Sequence, residues 1–245
     1  MTEKLVHLHA ICYNEKVVLP FFFKHYKKMF GDSIKFTIYD NESNDGSQEI
    51  CLSEGAEIIT YYTNNQLSDS KYLEIKNNCW KNQQETWALV LDIDEALFIT
   101  KEELLKEQEL GTSIIKSEGW NMISIDANPS CKIDIEGIKY GTRATQYDKN
   151  FLFDTKRISE INYSAGCHWS TPVGEVKFSE NSYKLLHYKA LSEDYIVERY
   201  KMFSQRMSAE NIEKKWAWHY MDSEETLRRN HKFFQQIEGL TKVID

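Results

Sequence analysis

The chain has 245 residues, with 30 Lys and Arg against 38 Asp and Glu for a net charge of −8; hydrophobic residues make up 41%, aromatics 13% and charged residues 28%. This composition excludes a disordered chain, and charges break every apolar stretch short of the ~18 residues that a membrane span needs. An acidic balance also argues against nucleic acid as a partner, because binding to a phosphate backbone rests on a basic face.

Leu5 to Cys12 is a short apolar run of strand length, ending at the polar pair Asn14-Glu15. Glu15 to Phe30 then carries Val18, Phe21, Phe22, His25, Tyr26 and Met29 at helical spacing, with Asn14 as the expected cap and Pro20 tolerable near the first turn. Ile34 to Tyr39 alternates as a strand. The turn-rich Asp40-Asn-Glu-Ser-Asn-Asp-Gly-Ser47 leads into a short helix, Gln48 to Ser53, stopped by Gly55. Ile58 to Tyr62 is a third strand, Ser70 to Gln83 a polar helix, and Trp87 to Leu91 a fourth strand that is apolar on both faces, as suits a covered parallel sheet. Beyond Asp92, Lys101 to Glu109 reads as a helix, while Met122 to Ile125, Cys131 to Tyr140 and Tyr183 to Tyr188 read as strands. From Ser192 the pattern turns helical, with Ile196, Tyr200, Phe203 and Met207 on one stripe.

Four alternations of strand and helix in the first ninety residues predict an α/β layer whose ligands bind beyond the C-terminal ends of its strands. The chain has only three prolines and no Gly- or Pro-rich linker, so it reads as one compact unit with a helical C-terminal lobe. Beyond position 188 acids and bases balance at ten each, so the acid excess lies in the first 188 residues. The five cysteines, Cys12, Cys51, Cys79, Cys131 and Cys167, are nowhere closer than 28 residues, which excludes CxxC pairs and fits free thiols in a reducing compartment. The first twenty residues show no signal or transit pattern, so the expectation is a cytoplasmic protein with at most peripheral contact at the inner face of a membrane.

The strongest chemical signal is Ala88-Leu-Val-Leu-Asp92-Ile-Asp94-Glu95, acids placed directly after a buried strand. Carboxylates at i and i+2 can converge on one hard cation such as Mg²⁺ or Mn²⁺; a solvated strand end is the competing reading of any lone D-x-D. Two more polar loops, after the first and second strands, belong on the same sheet edge.

Taken together, Ile11-Cys-Tyr-Asn14-Glu15, Asp40-Asn41-Glu-Ser-Asn-Asp-Gly-Ser47 and Trp87-Ala-Leu-Val-Leu-Asp92-Ile-Asp94-Glu95 resemble the family 2 type of glycosyltransferase with a GT-A fold, over roughly residues 5 to 100. The resemblance implies a mixed, mostly parallel α/β sheet flanked by helices. Residues 1–190 would form the catalytic part, with a nucleotide-binding half to 100 and an acceptor half beyond it, and 191–245 a helical extension packed on it. It implies a nucleotide-sugar donor, a UDP-sugar being favoured, held by Asn14, Glu15, Asp40 and Asn41, with Asp92 toward ribose and metal and Asp94 as main ligand of Mn²⁺ or Mg²⁺. It further places His187 at the metal or diphosphate; the alternative is a core histidine bonded to a backbone carbonyl. Lys189 would then face the diphosphate, or simply snorkel.

On the acceptor side, a glycan or lipid-linked glycan, Trp169 in Ala165-Gly-Cys-His-Trp169 is a candidate stacking platform. An inverting transfer needs a base for the acceptor hydroxyl, and Glu175, Asp148 and His168 all qualify by type; the family's usual acidic base motif is not recognisable. His7-x-His9, Trp216-Ala-Trp218-His219 and Arg228-Arg229 read as strand face, packing and solvated helix face respectively. Two rival functions remain. Leu91-Asp-Ile-Asp-Glu-Ala-Leu-Phe98 also resembles the first motif of haloacid-dehalogenase-type Mg²⁺-dependent phosphatases, although that motif normally stands near the chain start and has Thr or Val where Ala96 stands. A non-catalytic nucleotide-sugar or glycan-binding protein could share the fold.

Overall fold

The computed structural model describes residues 4–125 and 133–245, so Cys131 and the start of the strand expected from it lie outside the described residues. The N-terminal half follows the expected alternation: β1 (Val6–Cys12), α1 (Leu19–Phe30), β2 (Ile34–Asp40), α2 (Ser47–Ser53), β3 (Glu57–Thr60), α3 (Asp69–Asn78), β4 (Trp87–Asp92), β5 (Glu95–Leu97) and α4 (Lys101–Glu109). Helix α1 starts four residues later than the periodicity predicts. Asn14 is not its cap: the residue has a left-handed φ of 55°, and Val18 takes the N-cap position without a side-chain bond. Pro20 then falls in the first turn, where its missing N–H has no partner to lose. Leu19, Phe22, Phe23, Tyr26 and Phe30 form the buried face of the helix. Helix α4 ends where expected and opens on a capping box between Thr100 and Glu103, which satisfies donors at both positions.

The second half runs β6 (Ile114–Ile123), β7 (Tyr140–Arg143), β8 (Leu152–Asp154), a short ribbon of β9 (Ile158–Glu160) and β10 (Val173–Gly174), then β11 (Phe178–Ala190), α5 (Glu193–Ser204), α6 (Ala209–Lys214), α7 (Glu224–Gln235) and β12 (Thr241–Lys242). Strands β6 and β11 are much longer than their apolar stretches suggested, because polar residues on their outer halves pair with each other in parallel. Ile135–Gly137 is a single 3-10 turn, not strand, and pairing resumes only at Tyr140. The C-terminal segment is not helical throughout, since β12 returns to pair with β7 at the edge of the main sheet.

The main sheet has ten strands, ordered β12-β7-β6-β8-β4-β1-β2-β3, with β11 beside β6 and β5 beside β11. Most paired residues lie in parallel ladders, and helices flank the sheet, giving a mixed, mostly parallel α/β fold. Its core includes Leu8, Phe23, Ile38, Trp87, Leu89, Phe153 and Leu186. Two registers matter for the site. Strand β1 lies between β2 and β4, pairing Cys12 with Asp40 and Ile11 with Asp92, so the three strands end at one edge. Strand β11 pairs His187 with Glu95 in antiparallel register, which carries a residue from late in the chain to the acidic turn. Among the described residues no helix is long and apolar enough to cross a membrane.

Candidate active site

At the edge where β1 and β4 end lies a cleft of about 370 Å³, lined by Tyr13, Glu15, Asp92, Asp94, His187 and Lys189 among others. That volume falls within the ~300–1,000 Å³ usual for small-molecule sites. Its floor comes from the strand ends, and other sides come from α3, the segment 147–149, the turn 165–168, α5 and the segment 215–220.

The loops after β1 and β2 are knitted to each other rather than opened to the cleft. Asn14 N–H donates to Ser43 Oγ at 2.9 Å, Asn44 N–H donates to Asn14 Oδ1 at 2.8 Å, and Glu15 N–H donates to Ser47 Oγ at 2.8 Å. Asp40 accepts from Ser43 N–H and from Gln48 Nε2, while Asn41 donates to the Tyr61 carbonyl and accepts from Arg206. Asn14, Asp40 and Asn41 are therefore outside the cleft lining; of this expected donor set only Glu15 reaches it directly.

The acidic turn after β4 sits among protein cations. Lys76 of α3 donates to Asp92 Oδ1 at 2.6 Å, and Lys149 donates to the fully buried Glu95 at 2.7 Å while standing 4.0 Å from Asp92. Asp94 Oδ2 lies 3.6 Å from His187 Nε2 and 3.3 Å from Arg199 of α5. The same guanidinium donates to Glu15 and to the Tyr195 hydroxyl. Burial alone would raise the Asp94 carboxyl, but His187 and Arg199 beside it hold it well below the usual carboxylate range. Glu15 goes the other way: burial pushes it up to about 7 despite Arg199. Lys189 rests over the rings of Tyr200 and Tyr220, 4.9 and 5.1 Å from their centroids, and burial pulls its ammonium down to about 8.

Asp94 and His187 come together at the cleft, while Asp92, which also lines it, gives one carboxylate oxygen to Lys76 and keeps the other 4.0 Å from Lys149. Among the described residues no three side chains of the metal-binding types converge. The donor set fits Mn²⁺ or Mg²⁺ only as two protein ligands, with substrate phosphates supplying the rest.

The three base candidates separate clearly. Glu175 is exposed on β10's flank, and Asp148 is exposed, paired with Arg143 at 2.6 Å while accepting from Gly119 N–H at 2.7 Å; neither lines the cleft. His168 does line it, with Nδ1 donating to the Gln146 carbonyl at 2.7 Å, which leaves Nε2 as the acceptor nitrogen. Burial, then Lys149, lowers its pKa. Gly166 makes this placement possible, since a Cβ there would meet the His168 ring at 2.8 Å. Trp169 is 77% exposed and lies outside the cleft lining.

Lys76, Lys149 and Arg199 were not expected from the sequence. Lys76 looks like any lysine of a polar helix, and Lys149 and Arg199 reach the acids only through the tertiary fold; the i, i+4 pair of Tyr195 and Arg199 on α5 is the one local hint.

No protein-family model matches the chain, and no curated protein matches it. Solved structures similar to it include S. aureus TarS 1-349, at 14% identity over 93% of this chain and 71% of that one with a TM-score of 0.43. The same fragment in complex with UDP gives 10% identity, 95% and 75% coverage and a TM-score of 0.44. Glucosyl-3-phosphoglycerate synthase from Mycobacterium tuberculosis, in complex with Mn²⁺, UDP and glucosyl-3-phosphoglycerate, gives 11% identity, 47% and 44% coverage and a TM-score of 0.33. None reaches a TM-score of 0.5, so the functional reading rests on the site.

Proposed function

We propose that this chain is a glycosyltransferase that moves a sugar from a nucleoside diphosphate donor, a UDP-sugar in the favoured case, to a hydroxyl of a glycan or lipid-linked glycan with inversion. One observation carries the reading: Asp94, His187, Arg199 and Lys189 are gathered at the edge where parallel strands end, in a cleft that also holds a histidine with a free ring nitrogen.

In the transfer, the acceptor oxygen forms a bond to the anomeric carbon as the bond from that carbon to the donor phosphate breaks, with its electron pair leaving on the diphosphate. His168 Nε2 takes the proton of the acceptor hydroxyl. Lys189 and Arg199 place positive charge where the leaving group gains negative charge. Asp94 and His187 would hold the divalent ion, which supplies Lewis-acid stabilisation of that same charge. Glu15 fixes the guanidinium from the side of β1.

The test is release of free nucleotide from UDP-glucose, UDP-N-acetylglucosamine, UDP-galactose and GDP-mannose with Mn²⁺. Turnover of at least one donor is expected, falling about 100-fold or more in Asp94→Asn and in His168→Gln when a glycan acceptor is present. Equal turnover by wild type and Asp94→Asn would sink the proposal.

A further inference from the structure

We propose that Trp216 is the stacking platform of an acceptor subsite, taking the apolar face of a pyranose ring of the acceptor glycan into the cleft. The inference rests on the glycosyl-transfer reading and names the group that this reading leaves open. Trp216 lines the cleft together with Lys215, Ala217, His219 and Tyr220, a short segment between α6 and α7. The residues on either side of it both adopt left-handed backbone, Lys215 at φ 55° and ψ 31° and Ala217 at φ 52° and ψ 23°. Neither is glycine, and Ala217 has no polar side chain to stabilise such a turn, so the conformation is unfavourable in isolation and the surrounding structure must impose it.

That surrounding structure is well anchored. Trp216 N–H donates to the Asn211 carbonyl at 2.9 Å. Asn211 is completely buried, its side chain exchanging hydrogen bonds with Asp69 across to α3 and bonding Ser208. The Lys214 ammonium sits over the Trp216 ring, 4.4 Å from its centroid, a cation–π contact that takes one face of the indole and leaves the opposite face of this partly buried ring for a sugar. An indole held in this way by a strained turn, at the rim of a polar cleft, matches a sugar: ring C–H groups pack on the π face while hydroxyls reach polar neighbours such as His219, Lys215 and His168. Trp169 and Trp218 do not line the cleft.

The experiment is saturation-transfer difference NMR on the full chain with UDP and Mn²⁺ present, using maltotriose, chitotriose, mannobiose and galactobiose as probes. Wild type, Trp216→Ala, Trp216→Phe, Trp169→Ala and Trp218→Ala are compared, with UDP affinity measured on each by calorimetry. The expected result is signal from at least one saccharide, reduced about fivefold or more in Trp216→Ala, partly restored in Trp216→Phe and kept in the other two variants. UDP affinity is expected to stay within about twofold throughout, which also shows that the variants are folded. The inference is overturned if no saccharide gives signal, if signal survives in Trp216→Ala, or if that variant loses UDP binding. Failure of the wild type to bind UDP at all would instead overturn the donor reading beneath it.

Discussion

His9 shows how far a residue's neighbours decide its chemistry. It lies on β1 with its ring 3.9 Å from that of His7, with Nε2 donating to Gln83 at 2.9 Å and no partner for Nδ1. Burial pulls its pKa down to about 3 and that of His7 to about 4, against 6.5 for a free histidine. The unfolded chain therefore takes up protons first as pH falls, so the stability tied to these rings is present above about pH 6.5 and is lost as pH drops toward the folded values. From pH 7 to pH 5 the expected loss is about 2 kcal/mol for His9 alone. Urea unfolding of wild type and His9→Gln at both pH values checks this; the variant should show the shallower dependence, and parallel curves would refute the assignment. At this scale the acids Asp92, Asp94 and Glu15 were legible because they follow strands directly in the sequence. Their cationic partners were not, because nothing local marks Lys76, Lys149 or Arg199 as buried against them. Trp169 stood out in the sequence by its Gly-then-aromatic setting, yet the 3-10 turn Ala165–Cys167 leaves it in solvent while His168 lines the cleft instead.

Among the elements, those with clear local signals stood where expected: α4 over Lys101–Glu109, β4 from Trp87 along its unbroken apolar run, and α5 opening directly after Ser192, which caps it. Elements set by partners did not. Strand β11 extends over Phe178–Ala190, because β6 pairs in parallel with Phe178 and again from Ser182 onward, with a register shift across Ser179, Glu180 and Asn181. The same strand carries the polar half of the site, since its pairing with β5 delivers His187 to Asp94. Strand β6 also bears on the cleft through Gly119. A Cβ there would meet Tyr147 Cβ at 2.5 Å and the Tyr147 backbone carbon at 2.6 Å. Tyr147 in turn packs against His187, ring centroids 4.2 Å apart. Gly119→Ala is therefore expected to lower stability by about 1–3 kcal/mol and to reduce donor turnover by displacing Tyr147. Thermal unfolding and the nucleotide-release assay read the two effects; a variant with unchanged melting temperature would show that the segment 144–147 yields freely.

The molecule as a whole places its charge economically for an acidic chain. The acid excess of the first 188 residues includes Glu15, Asp92, Asp94 and Glu95, but around the cleft each of these meets a lysine or an arginine. Lys76, Lys149 and the shared Arg199 offset these four acids, and Lys189 and Lys215 also line the cleft, so an anionic ligand is not opposed there by the net value of −8. Arg199 comes from α5, so the C-terminal helices take part in the site instead of merely covering it. The alternation of strand and helix over the first ninety residues and the polar loops at the strand ends were readable from hydrophobic periodicity. The closure of the cleft by segments 147–149, 199–203 and 215–220 was not, because it depends on contacts between residues more than fifty positions apart. The central claim is that this cleft holds a nucleoside diphosphate through Asp94 and its neighbours. Calorimetric titration of UDP into the full chain with Mn²⁺ tests it most directly: wild type should bind with a Kd of about 1 µM to 1 mM and Asp94→Ala at least about tenfold more weakly. Absence of binding by UDP and GDP alike, or equal affinity in the variant, would contradict it.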